Sequence, residues 1–164
     1  MDFLIGRMGP FTVEHCFSCA LPGYLIVSAR AGNLTLSDLG PDALPHIGPA
    51  LAVATRAIEA VIAPIRVYCA LFGEEQETMH FHVFPRTSEV TAEYLLVHPE
   101  QAARIHGPML LDWARTRYKG SADEVFRAVS TVLAPLREHF ARLLDSRSIA
   151  AGPAGTQLSD EGWP

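Results

Sequence analysis

A short stretch in the middle of the chain decides the fold, and it reads Thr78-Met79-His80-Phe81-His82-Val83-Phe84-Pro85-Arg86. Its side chains alternate in polarity, which is typical of a β-strand with one face in a core. The apolar face carries Met79, Phe81 and Val83, and the opposite face carries Thr78, His80, His82 and Phe84. The two imidazoles therefore lie on one face of a rigid strand, about 6.6 Å apart along it. Because neutral histidine serves as nucleophile, base or acid near neutral pH, this face is a candidate active site.

The size and composition of the chain indicate one domain. Its 164 residues are enough to bury a large core, and no linker interrupts them before the tail. Apolar residues make up 49% of the chain and charged residues only 19%, against roughly 25% charged residues in typical soluble domains. We therefore expect a partner subunit to cover part of the apolar surface, and we expect that partner to be a second copy in a homodimer.

The charge of the chain limits its partners. A formal net charge of −5 and a pI near 5.8 argue against binding of polymeric nucleic acid, but they leave a single nucleotide as a possible ligand. No apolar run approaches the length of a membrane span, and residues 1–7 show no secretory signal. We expect a cytoplasmic protein with a nucleotide substrate and no membrane partner.

The residues before the histidine strand predict two pairs of strands separated by a helix. The expected elements are a strand over 11–19, a turn at 21–23, a strand over 24–28, a helix between Pro49 and Pro64, and a strand over 66–72. The turn joins the first two strands into a β-hairpin. This order of elements indicates an α+β domain with an antiparallel sheet rather than a parallel nucleotide-binding sheet.

Helices are expected after the histidine strand. We predict short helices over 99–105 and 108–118, and a longer helix that begins at a capping box on Ser121 and is broken or kinked at Pro135. The predicted organisation is a single domain over 1–146, with a core over 11–88, C-terminal helices over 89–146 and a flexible tail over 147–164.

The three cysteines are expected to be free thiols. Cys16 and Cys19 form a C-x-x-C pair, but on a strand over 11–19 their odd spacing sends the two thiols to opposite faces. No second pair of ligands stands at zinc-finger spacing. We interpret both residues as small side chains of a half-buried strand, and we expect no cofactor.

The histidine strand resembles the signature of the histidine triad (HIT) superfamily, in which three histidines alternate with apolar residues and often close in Pro-Arg. The residues that carry the resemblance are His80-Phe81-His82-Val83-Phe84-Pro85-Arg86 and the turn and strand from Leu21 to Val27, and the similarity covers roughly residues 11–88. It implies a HIT-like fold, with an antiparallel sheet of about five strands packed by a long helix and with additional C-terminal helices. It also implies a nucleotide hydrolase or nucleotidyl transferase that acts on a phosphoanhydride or phosphoramidate bond, with dinucleoside polyphosphates or related nucleotide conjugates as substrates.

The resemblance implies a role for each histidine. Registered on Pro85-Arg86, His80 takes the central position, whose histidine attacks phosphorus to form a nucleotidyl-histidine, and His82 takes the third, which donates to a phosphate or bridging oxygen. Thr78 replaces the first histidine. Tyr24 stands where the family commonly has another histidine. We therefore hypothesise that Thr78 and Tyr24 adjoin and together orient the central imidazole.

Further candidates concern substrate binding. Gln76, in the loop before the histidine strand, is a predicted phosphate contact. Arg86 is either a second phosphate contact or one partner of a structural ion pair. The base is expected in an apolar pocket formed by the first hairpin, with Phe11, Val13 or Leu25 as its lining.

Two other interpretations remain open at this point. The two replaced positions allow a nucleotide-binding protein of the same fold whose chemistry has lapsed. Alternatively, two histidines spaced i and i+2 on a strand are able to ligate a metal if a third ligand joins them. That third ligand would be Glu74, Glu75 or Glu77 from the preceding loop.

Overall fold

A five-stranded antiparallel sheet forms the centre of the molecule. The computed structural model describes residues 1–29, 35–72 and 78–146. The strands are β1 (Leu4–Met8), β2 (Phe11–His15), β3 (Leu25–Ser28), β4 (Arg66–Leu71) and β5 (His80–Arg86), arranged in the order β1-β2-β3-β5-β4. Every neighbouring pair is antiparallel. The α+β class and the sheet of about five strands predicted from the sequence are confirmed.

Four helices accompany the sheet in the described ranges. They are α1 (Leu44–Ile62), α2 (Ser88–Val97), α3 (Gly107–Arg117) and α4 (Ala122–Asp145), with short 3-10 turns at Leu36–Asp38 and Pro99–Gln101. In the part of the chain that the structure describes, no helix has the length and hydropathy needed to cross a membrane.

The helices differ from the sequence prediction where proline was given too much weight. α1 begins at Leu44 and runs through Pro49, and α4 runs through Pro135 without a break. Each interior proline removes one backbone hydrogen bond. The side chains that each helix buries, after Pro49 in α1 and on both sides of Pro135 in α4, outweigh that loss, since most helical stability in proteins comes from packing of an apolar face.

Two elements were missed by the sequence prediction. Strand β1 was missed because Ile5 alone on it is buried and Gly6 weakens its pattern. A Cβ at Gly6 would lie 2.5 Å from the Phe140 ring, so the glycine allows α4 to approach the sheet closely. Helix α2 was missed because it buries only Val90 and Tyr94, and the helix predicted over 99–105 is reduced to a single 3-10 turn.

The predicted strand over 11–19 also ends early, at His15. The chain then leaves the sheet, and Cys19 forms an isolated bridge with Lys119 beyond α3. Both Cys16 and Cys19 are buried free thiols. The expectation that they lie on opposite faces of one strand is therefore wrong, because the alternation rule applies only while the chain stays extended.

A separate core covers each face of the sheet. On one face α1 and α4 pack on strand residues that include Val13, Val27 and Val83, and on Met79 just before β5. On the other face Tyr24 and Phe84 pack against α2 and α3. The second core covers only one end of its face, and the histidines lie beside it.

The packing of α4 predicts a large difference between two leucines on that helix. Leu136 is fully buried and Leu144 is 37% exposed. We expect Leu136→Ala to lower the free energy of unfolding by about 2–5 kcal/mol, because it leaves a cavity in the core. Leu144→Ala should change it by less than about 0.5 kcal/mol. Urea denaturation followed by circular dichroism measures both values, and equal losses would contradict this placement of α4.

Candidate active site

The histidine face of the sheet lines a cavity of about 450 Å³, a size in the usual range for small-molecule sites. The wall is built from β3, β5, the segment that ends β2, Phe72 after β4, and one side of α3. Its lining includes Glu14, Tyr24, Ile26, Ser28, His80, His82, Leu111, Asp112 and Arg115.

The pairing of β3 with β5 fixes which residues face the cavity. Ile26 lies opposite His82, and Ser28 lies opposite His80. Directly opposed residues of an antiparallel pair project to the same face. Both histidines are 6% exposed, and their ring centroids are 4.8 Å apart with the planes at 77°. The two imidazoles are thus neighbours in one cavity and are largely shielded from solvent.

The hydrogen bond of His80 determines its tautomer. Its Nδ1 lies 3.0 Å from the main-chain carbonyl oxygen of Thr78. A carbonyl only accepts, so Nδ1 carries the proton and donates it. In neutral His80 the lone pair is then on Nε2. This is the arrangement expected of a histidine nucleophile.

His82 has a different partner. Its Nδ1 lies 2.7 Å from the hydroxyl of Tyr24, whose side chain is fully buried. Burial above all, and then the neighbouring His80 and Arg115, lower the pKa of His82 to about 4. Burial also raises the pKa of Tyr24 well above its usual value. Both groups are therefore neutral at pH 7.

The tautomer of His82 follows from this pairing. A protonated Tyr24 hydroxyl has a proton to donate, and Nδ1 of His82 is the acceptor within reach among the described residues. His82 then carries its own proton on Nε2. The two histidines consequently take opposite tautomers, one with a free lone pair on Nε2 and the other with an N–H there.

The hypothesis that Thr78 and Tyr24 adjoin is wrong. Leu25 pairs with Val83, so Tyr24 lies at the far end of β5 from Thr78. Val83 stands five positions after Thr78, which is about 16 Å in an extended chain. Tyr24 instead contacts His82, and Thr78 contributes its carbonyl oxygen to His80.

The predicted base pocket also needs correction. Phe11, Val13 and Leu25 are at most 1% exposed and belong to the core beneath α1 and α4. The hairpin of β2 and β3 does line the cavity, but through its other face, with Glu14 and Ile26. Because side chains alternate along a strand, an error of one residue changes the face.

The remaining predicted residues lie away from the two histidines or outside the described chain. Arg86 lines a second cavity, where its guanidinium lies 6.0 Å from the centre of the Tyr68 ring. Gln76 lies outside the described residues. So do Glu74, Glu75 and Glu77, the proposed third metal ligands. Within the described ranges, no group of three or more His, Cys, Asp and Glu residues is arranged to hold a metal ion.

The sequence analysis missed the contribution of α3. Leu111, Asp112 and Arg115 line the cavity from that helix, and Phe72 places its ring 5.7 Å from that of His82. The spacing i, i+1, i+4 of the helical residues puts them on one side of α3. That spacing was visible in the sequence, but nothing there indicated that α3 lies against the histidine strand.

Neither a protein-family model nor a curated protein matches the chain. Solved structures of histidine triad proteins do share its fold. A Hit-like protein involved in cell-cycle regulation from Bartonella henselae matches with a TM-score of 0.56 at 12% identity, over 85% of this chain and 87% of that one. These values show a common fold and leave the chemistry to be argued from the site.

Two further solved structures give the same result. A zinc-bound histidine triad family protein from Mycobacterium smegmatis has a TM-score of 0.56 at 14% identity, over 87% of this chain and 86% of that one. A histidine triad protein from Bradyrhizobium japonicum has a TM-score of 0.57 at 16% identity, over 85% and 90%. The chain therefore has the histidine triad fold that its sequence resemblance implied.

The opposite tautomers can be tested by NMR of the imidazole nitrogens. We expect neutral His80 to carry its proton on Nδ1 and His82 to carry it on Nε2. His82 should stay neutral down to about pH 5, one unit above its pKa of about 4. Tyr24→Phe keeps the packed ring and removes the hydroxyl, so it should weaken the Nε2–H preference of His82 and leave His80 unchanged. A wild-type His82 protonated on Nδ1 would contradict the assignment.

Proposed function

We propose that the chain is a HIT-type nucleotide hydrolase or nucleotidyl transferase that acts through a nucleotidyl-histidine intermediate. The observation that carries the proposal is the hydrogen bond from His80 Nδ1 to the Thr78 carbonyl oxygen, at 3.0 Å. It holds the imidazole on a rigid strand and keeps the Nε2 lone pair ready for attack. The histidine triad fold of the chain supports the same chemistry.

The first step forms a bond from His80 Nε2 to the phosphorus of the nucleotide and breaks the bond from that phosphorus to the leaving group. His82 donates a hydrogen bond from Nε2 to a phosphate or bridging oxygen, where negative charge grows. In the second step the oxygen of water, or of another acceptor, bonds to phosphorus and the bond to His80 breaks. The proton of the acceptor passes to solvent, and His80 returns neutral.

The protonation state of His82 bears on the substrate. A neutral imidazole donates a hydrogen bond but does not give up its proton, and the low pKa of His82 keeps it neutral at pH 7. A leaving phosphate departs as a stable anion without being protonated. An amine leaving group requires a proton. This favours phosphoanhydrides, with dinucleoside polyphosphates as the main candidates, over phosphoramidates.

A second candidate function is nucleotide binding without turnover. The observation in its favour is Thr78, which replaces the first of the three histidines. A metal site on His80 and His82 is a third and weaker candidate. Metal analysis of the purified protein tests it, since a stoichiometric metal that is lost in the variant His80→Ala would support it.

The proposed nucleophile predicts a covalent intermediate. Incubation with a dinucleoside polyphosphate labelled in the nucleotide, followed by rapid denaturation at alkaline pH, should trap labelled protein, with the label on His80 by mass spectrometry. His80→Ala should abolish the label and lower kcat by more than about 10³-fold. His106→Ala removes an exposed histidine outside the cavity and should leave both unchanged.

The outcomes separate the candidates. Turnover and labelling that both survive in His80→Ala would contradict the assignment of the nucleophile. Nucleotide binding with no turnover in the wild-type protein would favour the second candidate.

We also propose that the chain forms a homodimer through β4. Among the described residues β4 pairs with β5 on one side and with no strand on the other. Large apolar side chains are exposed there, with Ile65 at 54%, Leu71 at 38% and Phe72 at 49%. An edge strand with exposed apolar side chains is a ready surface for pairing with another chain.

The homodimer predicts a mass that depends on this edge. Light scattering coupled to size exclusion should give twice the chain mass for the wild-type protein. Leu71→Glu should give a monomer, because it brings a charge to the paired edge. Leu96→Glu changes a side chain that is 83% exposed on α2 and should leave the mass unchanged. A monomeric wild-type protein would refute the proposal.

A further inference from the structure

Helix α3 completes the cavity from outside the strands that carry the histidines. Leu110, Leu111 and Ala114 are at most 3% exposed and pack in the same core as Tyr24 and Phe84. This apolar side holds the helix in a fixed position against the sheet. The adjoining side then presents Asp112 and Arg115 to the cavity. An element with no part in the sequence resemblance thus supplies part of the wall beside His82.

Arg115 supplies the positive charge of the described cavity wall. Among the described residues of the wall it is the single Lys or Arg, and Glu14 and Asp112 carry negative charge. His82 and Tyr24 are neutral at pH 7, because burial lowers the pKa of His82 and raises that of Tyr24. A bound phosphate therefore meets two carboxylates and one permanent cation. Without that cation the described wall would repel a polyanion.

Arg115 lies close enough to His82 to influence its charge. The positive charge of Arg115 helps lower the pKa of His82, so the guanidinium acts within electrostatic range of that imidazole. In the proposed mechanism His82 donates to a phosphate or bridging oxygen, and the bridging oxygen is the one that departs with the leaving group. Arg86, the arginine that the sequence suggested for phosphate, lines the other cavity. Arg115 is therefore the described arginine that lines the cavity of the two histidines.

We infer that Arg115 recognises an anionic phosphate of the leaving group and so makes the site selective for nucleotides joined to a further phosphate. The guanidinium suits this role because its planar fork donates two parallel hydrogen bonds to phosphate oxygens. A phosphoramidate with an uncharged amine leaving group offers no such anion. This inference rests on the proposed function, since it assigns the leaving-group side of the same site.

Substrate pairs test the inference. Turnover is measured for a dinucleoside polyphosphate and for a phosphoramidate of the same nucleoside with an uncharged amine. We expect Arg115→Met to lower kcat/KM for the polyphosphate by about 10- to 100-fold, as expected for loss of hydrogen bonds to a charged group. For the phosphoramidate the change should be below about threefold. Arg115→Lys keeps the positive charge but lacks the planar guanidinium. Its kcat/KM for the polyphosphate should fall between the values for Arg115→Met and for the wild-type protein.

A matched control is available on the same helix. Arg117 lies outside the cavity, where its guanidinium is 3.4 Å from the carboxylate of Glu93. Arg117→Met removes the same charge from α3 and should leave kcat/KM unchanged for both substrates. Thermal unfolding of every variant identifies a loss of folding. A loss of the same size for both substrates in Arg115→Met would overturn the inference, and so would no loss for either.

Binding measurements separate this inference from the proposed function. In the background His80→Ala, which lacks the nucleophile, calorimetry gives Kd for the dinucleoside polyphosphate and for the phosphoramidate. In that background Arg115→Met should raise Kd for the polyphosphate by about 10-fold or more and leave Kd for the phosphoramidate unchanged. This result together with no turnover in the wild-type protein would support the role of Arg115 and reject the enzyme. Equal effects on both ligands, or none, would overturn the role of Arg115 whether or not the wild-type protein turns over.

Discussion

The register between β3 and β5 is the constraint on which the rest of the structure depends. Ile26 opposite His82 and Ser28 opposite His80 set one face of the sheet toward the cavity. The same register sends Val27 and Val83 into the core beneath α1 and α4. A shift of one residue would bury both imidazoles under the helices and expose the valines. The two cores and the site therefore follow from the pairing of β3 with β5. Burial of side chains on both faces of the sheet fixes that register.

Local periodicity explains which parts could be predicted from sequence. The faces of β5 follow from alternation within one strand, so the apolar set and the histidine pair could both be derived from residues 78–86. The lining of the base pocket could not. Phe11 and Val13 are as apolar as a base pocket requires, but apolar residues also make the core. Only the pairing between strands decides that Glu14 and Ile26 face the cavity.

Contacts between distant parts of the chain were beyond the sequence pattern. The Tyr24 hydroxyl meets His82 across 58 positions of sequence, and Arg115 reaches the cavity from a helix whose place depends on a second core. Neither has a local signal, because each is set by tertiary packing. The interior prolines also show that tertiary packing can decide against a local sequence signal. At Pro49 and Pro135 the local rule predicts an end or a kink, and burial of the helix face keeps each helix continuous through its proline.

The threonine at position 78, where the sequence resemblance implies a histidine, has less consequence than the sequence suggested. If the side chain at position 78 oriented His80, a threonine there would lack the support that an imidazole gives. The atom that His80 contacts is instead the main-chain carbonyl oxygen of Thr78, which any residue at that position supplies. What position 78 must provide is a main-chain carbonyl turned toward the imidazole, in the bend that precedes β5. The orientation of the proposed nucleophile is therefore a property of the backbone and does not depend on the side chain at position 78.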